Sequence, residues 1–462
     1  MRTRISWILT VYFAAVAALA QSGAPIPQQL TFLPYHESGV YNVGETVGWT
    51  VMPGPVAPAC TYKWSIRKNN ALVLKEGILD LSAGRDKIEI SGAEPEMIYV
   101  AIEPVAKRPT EGTAPVTAPL AETPASADGA GPRGSFTGGN TGRNTGFYAV
   151  GAAVAPAKIG LSAPRPADFD EFWNGKLAEQ AKLPINPVLT PVQTDIPDVE
   201  MSAFRLDALG SHAQGYLAKP LKEGKRPALV LLQYAGVYAL NARGVAARAA
   251  EGWLVINVDS HDKAPADAGA GVPRNYAAIG NTDRESSYFL NMYLRDSRAL
   301  DYLMTRPEWD GRTVAVMGTS MGGQQSLVLA GLRPETITSV LVCVPAGADT
   351  NADLHGRKAG YPNWPSNDPK VMSTALYFDP VNFASRIKAP VLAAIGFIDT
   401  ISPPAGIWTA LNQIPVPKEP LLMVESEHNN LTPQKEQNWD ARSKEVLGIL
   451  LKGGTFQPVE IK

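Results

Sequence analysis

Between Ala228 and Val424 the chain returns repeatedly to short, apolar runs: Ala228 to Leu232, Leu254 to Val258 (broken only by Asn257), Val314 to Met317, Val340 to Val344, Val391 to Ile395 and Leu421 to Val424. Runs this short, apolar on successive residues, describe strands buried on both faces. Helical patterns separate most of them, and crossovers of that length give a mostly parallel sheet covered on both sides. Ahead of the runs, Val199 to Leu206 and Gln214 to Ala218 alternate like a hairpin. A helix opens this half of the chain, with Asp168 placed to cap it and Phe169, Phe172, Trp173 and Leu177 on one face. The sequence thus predicts a doubly wound α/β domain over 161–462.

The region before it reads differently. Thr46 to Val51, Tyr62 to Ile66, Lys87 to Ile90 and Ile98 to Ile102 alternate between apolar and polar residues, and Gly, Pro and Asn turn signals divide them. These features predict a small, immunoglobulin-like β-sandwich over 21–160. Within it, 106–146 is rich in Pro, Ala, Gly, Thr and Asn and reads as a flexible segment. Phe147 to Val154 is strand-like again, and as a strand returning to the sandwich it makes that segment an insertion.

The first twenty residues set Arg2 and Arg4 before an apolar run that ends in small residues, which is the pattern of a signal peptide cleaved near Ala20. Secretion or periplasmic delivery follows from that reading. The run is shorter than the roughly 20 residues a bilayer span needs, and no later stretch approaches that length. Only Cys60 and Cys343 are present, and they fall in separate predicted domains, so no structural disulfide is expected. A net charge of -2 with scattered Lys and Arg supplies no basic surface for a nucleic acid. No metal-ligand spacing or organic-cofactor motif is present.

The chemistry concentrates at Gly318-Thr319-Ser320-Met321-Gly322-Gly323, which follows one apolar run directly and opens the helical stretch Gln324 to Leu332. Strand, sharp turn and helix form the setting of a nucleophile elbow, in which glycines two positions either side admit close-lying backbone and expose the serine. A serine hydroxyl needs a base. The chain has five histidines: His36, His212, His261, His355 and His428. In a hydrolase sheet of this kind the chain order is nucleophile, acid, base, which excludes the first three. His355 follows the strand next to the elbow, too early for an acid to intervene, so His428, after the last apolar run, is the expected base. Asp399 follows Val391 to Ile395 and is the expected acid, with Asp349 and Asp379 as less well-placed rivals.

A tetrahedral intermediate requires two backbone N–H donors. Met321, after the serine, supplies one. The loop Gln233-Tyr234-Ala235-Gly236-Val237 offers the other, with Val237 the candidate and Gly236 its neighbour. Trp364, in Gly360-Tyr361-Pro362-Asn363-Trp364-Pro365, is a candidate pocket residue, whereas Trp173, Trp408 and Trp439 lie in helical patterns and are assigned to the core.

The elbow, the stretch Pro166 to Trp173, the stretch Tyr293 to Asp301 and Gly396-Phe397-Ile398-Asp399-Thr400-Ile401-Ser402-Pro403-Pro404 together resemble the acetyl xylan esterase and cephalosporin C deacetylase family of α/β-hydrolases. The resemblance spans about 163–451. It implies a Ser320, Asp399 and His428 triad, no cofactor, and removal of acetyl groups from sugars and small esters. The chain departs from the family pattern at three places. Asp259-Ser260-His261 stands for an Arg-Gly-Gln segment, Met321 for a Gln, and His428-Asn429 for a His-Glu. His261 is therefore a second candidate for lining the site. A secreted serine peptidase of the same fold and an inactive binding protein on a hydrolase scaffold remain alternatives. The sequence sets neither an oligomeric state nor a role for the sandwich, which is read first as an appendage packed on the catalytic half.

Overall fold

In a computed structural model, the described residues are 29–55, 58, 60–105, 147–269, 271–429 and 435–459. The predicted signal peptide and the predicted flexible segment 106–146 lie outside them. Eight strands make up the N-terminal part: β1 (Leu30–Pro34), β2 (Val40–Tyr41), β3 (Thr46–Pro53), β4 (Tyr62–Lys68), β5 (Leu72–Ile78), β6 (Asp86–Ser91), β7 (Glu96–Pro104) and β8 (Tyr148–Val154). They form two sheets, ordered β1-β3-β6 and β2-β8-β7-β4-β5. Alternate side chains of both sheets, among them Val47, Trp49, Val51, Trp64, Ile66, Ile98 and Val100, meet in one core. β8 pairs antiparallel with β7, so the chain re-enters the sandwich after 146.

Nine further strands form a single sheet: β9 (Val188–Pro191), β10 (Val199–Ala208), β11 (Ser211–Pro220), β12 (Arg226–Leu232), β13 (Leu254–Asp259), β14 (Trp309–Thr319), β15 (Ser339–Cys343), β16 (Val391–Gly396) and β17 (Lys418–Met423). Their order is β17-β16-β15-β14-β12-β13-β11-β10-β9. β12 to β17 run parallel, while β11, β10 and β9 continue the sheet antiparallel. Among the described residues eight α-helices accompany it: α1 (Phe169–Ala181), α2 (Ala242–Ala250), α3 (Tyr288–Thr305), α4 (Met321–Leu332), α5 (Pro369–Ala375), α6 (Pro380–Ala384), α7 (Pro404–Gln413) and α8 (Ala441–Leu451).

The continuous apolar runs have a direct physical cause. Val230, Ile256, Val316, Val342 and Ala393 pack toward α3, α4 and α7 on one side, and Leu229, Val255, Ala315, Leu341 and Leu392 pack toward α2 and α8 on the other. With both faces covered, a polar side chain on these strands must find a partner inside the protein, as Asn257 does by donating to Leu231 O at 2.9 Å. Asp168 stands at the N-terminus of α1 as expected, but its carboxylate caps no N–H. It accepts instead from Arg284 at 2.6 Å and from the Tyr377 hydroxyl.

The sandwich rests on the loops that follow β16 and β17. Met97, Ala153 and Ile159 share a buried cluster with Phe397, Ala405 and Trp408. Lys358 N–H donates to Asn69 O at 3.1 Å across the same seam. Cys60 and Cys343 are not joined in a disulfide.

Candidate active site

β14 ends at Thr319 and α4 begins at Met321, leaving Ser320 alone in the turn with φ 56° and ψ -123°. A side chain on Gly318 would meet the Gly322 backbone at 2.2 Å, and one on Gly322 would meet Leu232 O at 2.3 Å. Backbone fills the space where any larger residue would stand. Ser320 N–H donates to Cys343 O at 2.9 Å, and Ser320 O accepts from Gln324 N–H and Ala346 N–H, both at 3.0 Å. The turn is thus bonded on both sides, to β15 and to α4.

The loops after β16 and β17 bring two more groups to the serine. His428 Nε2 lies 2.9 Å from Ser320 Oγ, and His428 Nδ1 lies 2.7 Å from Asp399 Oδ2. Asp399 is fully buried, and its Oδ1 accepts from Ile401 N–H at 2.8 Å and Ser402 N–H at 2.7 Å. A carboxylate only accepts, so Nδ1 carries the imidazole proton and Nε2 turns its lone pair to the serine hydroxyl. The rivals are engaged elsewhere. Asp379 accepts from Thr350 and Val381 and caps α6, and Asp349 pairs with Arg357 at 3.2 Å. His355 is exposed on a short turn, Ala352–His355.

Met321 is the first residue of α4, where an N–H has no intrahelical acceptor. On the loop after β12, Gly236 adopts φ 118°, and its N–H donates to the Tyr276 hydroxyl at 3.2 Å. The next N–H, that of Val237, has no acceptor among the described residues. The Tyr276 hydroxyl lies 2.9 Å from the Tyr361 hydroxyl, which donates to Met321 Sδ at 3.2 Å. A chain of hydrogen bonds therefore joins the Gly236 loop to the residue after the serine. Burial raises both tyrosine hydroxyls above their ordinary pKa, so both keep their protons.

His261 and Trp364 are placed differently from simple pocket walls. The His261 ring is buried, with Nε2 2.9 Å from Gly236 O and Nδ1 2.9 Å from the Tyr288 hydroxyl, so neither nitrogen is open to a substrate. Trp364 lines a cavity of about 460 Å³ together with Gly236, Arg274, Tyr276, Tyr361 and Asn363. Its indole is only 7% exposed and donates to Ala277 O at 2.7 Å, so it braces the wall and offers no stacking face. Trp173, Trp408 and Trp439 are buried in apolar clusters. The residues that pattern reading did not single out are Tyr276, Tyr288 and Lys263. Tyr361 stands in the same loop as Trp364, separated from it by Pro362 and Asn363. Among the described residues no group of His, Cys, Asp or Glu is arranged to hold a metal ion, and no helix is long and apolar enough to cross a membrane.

A serine at a strand-to-helix elbow, a base and a buried acid in one hydrogen-bonded line, and two unsatisfied backbone donors nearby form an arrangement suited to acyl transfer. The chain is 33% identical over 296 residues to the acetyl esterase Axe7A of Xylanibacter ruminicola, a match covering 60% of this chain and 67% of that protein. Among solved structures, an acetyl xylan esterase from Thermoanaerobacterium sp. JW/SL YS485 superposes with a TM-score of 0.52 at 25% identity, covering 59% of this chain and 92% of its own. The acetyl xylan esterase of Paenibacillus sp. R4 shares the fold with a TM-score of 0.56 at 24% identity, over 65% of this chain and 98% of that one. The acetyl xylan esterase family model matches residues 160–353 and 358–443, which hold all nine strands of the sheet and its helices up to the start of α8. With the family pattern carried over more than half its length and the elbow at its centre, the chain belongs to the acetyl xylan esterase family.

Proposed function

We propose that this carbohydrate esterase removes acetyl groups from acetylated xylan or a related sugar ester through an acyl intermediate on Ser320. The observation that carries the reading is the unbroken line from Asp399 Oδ2 to His428 Nδ1 at 2.7 Å and from His428 Nε2 to Ser320 Oγ at 2.9 Å. His428 takes the hydroxyl proton as Ser320 Oγ attacks the acetyl carbonyl carbon. The imidazolium, held in place by Asp399, then returns that proton to the leaving sugar oxygen. Water, deprotonated by the same imidazole, attacks the acetyl-serine; the bond from the acyl carbon to Ser320 Oγ breaks, acetate leaves, and the imidazolium returns its proton to Ser320 Oγ. The negative charge on the carbonyl oxygen in both tetrahedral states is met by the N–H groups of Met321 and Val237. The names of the relatives, an acetyl esterase and acetyl xylan esterases, support the acetyl group as what is removed.

Export belongs to the same proposal. Arg2 and Arg4, the apolar run after them and the small residues ending at Ala20 support delivery outside the cytoplasm, where an acetylated polysaccharide would be met.

The test is acetate release from acetylated xylan by the full chain, with Ser320→Ala alongside. Release that vanishes in the variant is expected. Equal release by both proteins would remove Ser320 from the mechanism. Cleavage of peptide amides in preference to a chromogenic acetyl ester would replace the esterase reading with a peptidase.

A further inference from the structure

The segment Asp259 to Lys263, whose first three residues depart from the family pattern, leaves β13 and runs beside the loop that carries Val237. It makes three contacts to that loop. Ser260 N–H donates to Gln233 Oε1 at 2.9 Å, His261 Nε2 lies 2.9 Å from Gly236 O, and Lys263 Nζ donates to Tyr238 O at 2.8 Å. Asp259 anchors the segment itself. Its Oδ1 accepts from His261 N–H at 2.7 Å, and its Oδ2 pairs with Lys263 Nζ at 2.7 Å, with both side chains buried.

The contact at Gly236 O has a consequence for its neighbour. Gly236 C=O and Val237 N–H belong to one planar, trans peptide, so they point in opposite directions. A donor that fixes the carbonyl on one side therefore fixes the N–H on the other. The peptide needs fixing because it follows a glycine at φ 118°, where rotation of the whole unit meets little steric resistance. Rotated by half a turn, it would present a carbonyl oxygen where the N–H had been and repel an oxyanion. The acceptor also settles the His261 tautomer. Gly236 O only accepts, so Nε2 carries the proton and Nδ1 accepts from the Tyr288 hydroxyl. A hydrogen bond into the carbonyl further polarises the amide and strengthens its N–H as a donor.

We infer that His261 is a positioning residue, a latch that holds the Gly236–Val237 peptide with its N–H set to receive the substrate oxyanion, and that Lys263 secures the Tyr238 carbonyl of the same loop. This inference rests on the acyl-serine reading above. His261 acts through the peptide and does not touch the reacting atoms.

The test exploits which ring nitrogen does the work. In His261→Gln the side-chain amide nitrogen falls near the place of Nε2, and in His261→Asn it falls near that of Nδ1. The full-length wild type, both variants, His261→Ala and Lys263→Met are compared by kcat and KM on a chromogenic acetyl ester and by their rate of labelling with a fluorophosphonate. Thermal unfolding is followed in each to confirm folding. His261→Asn and His261→Ala are expected to lose on the order of 100-fold in kcat, the scale of a lost oxyanion donor, with KM within about threefold. His261→Gln should stay within about tenfold of wild type, and Lys263→Met should lose about tenfold. Labelling rates should follow the same order. Equal activity in the Gln and Asn variants, whether high or low, would overturn the latch. A wild type that neither hydrolyses the ester nor takes the label would instead overturn the acyl-serine reading.

Discussion

At Ser320 the backbone holds φ 56° and ψ -123°, a region that L residues other than glycine rarely enter. A conformation of this kind costs about 1–3 kcal/mol and persists because Cys343, Gln324 and Ala346 bond the turn in place. Ser320→Gly should therefore abolish hydrolysis while raising stability by about 1 kcal/mol, measured by urea unfolding. An unchanged or lowered midpoint would mean the turn carries no strain. His261 gives a second residue-scale expectation, this time in pH. Burial lowers its pKa below the ordinary 6.5, opposed by the Gly236 carbonyl and Asp259 and reinforced by Arg295 and Lys263. The unfolded chain therefore binds a proton near pH 6.5 that the folded chain refuses until more acid conditions. Stability contributed by this site is complete above that pH and falls as pH drops toward the folded value. Urea unfolding of wild type and His261→Gln at matched pH should show the acid loss reduced in the variant. Parallel curves would place the imidazole in solvent.

Among the elements, the loops after β16 and β17 carry the acid and the base, and the sandwich leans on both. A side chain on Gly151 of β8 would stand 2.8 Å from Phe397 O, and one on Gly39 would stand 2.9 Å from Val424. Phe397 is two residues from Asp399. Gly151→Val should push that loop and lower kcat by about tenfold with KM nearly unchanged, since misplacement of a catalytic group by a fraction of an ångström acts on the transition state. Unaltered kcat in a folded Gly151→Val would show that the loop is set by the α/β domain alone. Element by element, legibility in the sequence followed burial. β12 to β17 were readable because covered faces force apolar residues at most positions on both sides of each strand, and the elbow was readable because backbone crowding forces glycine at 318 and 322. β5 was not, because it is a sheet edge whose Leu72, Val73 and Ile78 are exposed, so no alternation marks it. Tyr276 was not, because its role depends on a hydrogen bond to Gly236 forty positions away. Asp168 kept its place but not its bond, since Arg284 and Tyr377 compete with the helix N-terminus for the carboxylate.

On the scale of the whole molecule, the sandwich and the nine-stranded sheet are joined by more than a tether. Met97, 2% exposed, and Ala153 belong to the same apolar cluster as Phe397, Ala405, Trp408 and the inner residues of β12 to β16. The gap left at the seam between Met97, Tyr99, Phe397, Asp399 and Pro403 is about 10 Å³, barely the space of one water molecule. Two bodies sharing a close-packed core cannot come apart without exposing it, so loss of one destabilises the other. Circular dichroism and tryptophan fluorescence should therefore report a single, coincident unfolding transition, although Trp49 and Trp64 lie in the sandwich and most other tryptophans in the sheet domain. Met97→Ala should lower that transition by about 2–5 kcal/mol of stability through the cavity it leaves. It should also lower kcat, because the same cavity lies against the loop that holds Asp399. Two separated transitions, with Met97→Ala moving only the one seen by the sandwich, would make the N-terminal part an independent module and leave the acid and base loops to the hydrolase sheet.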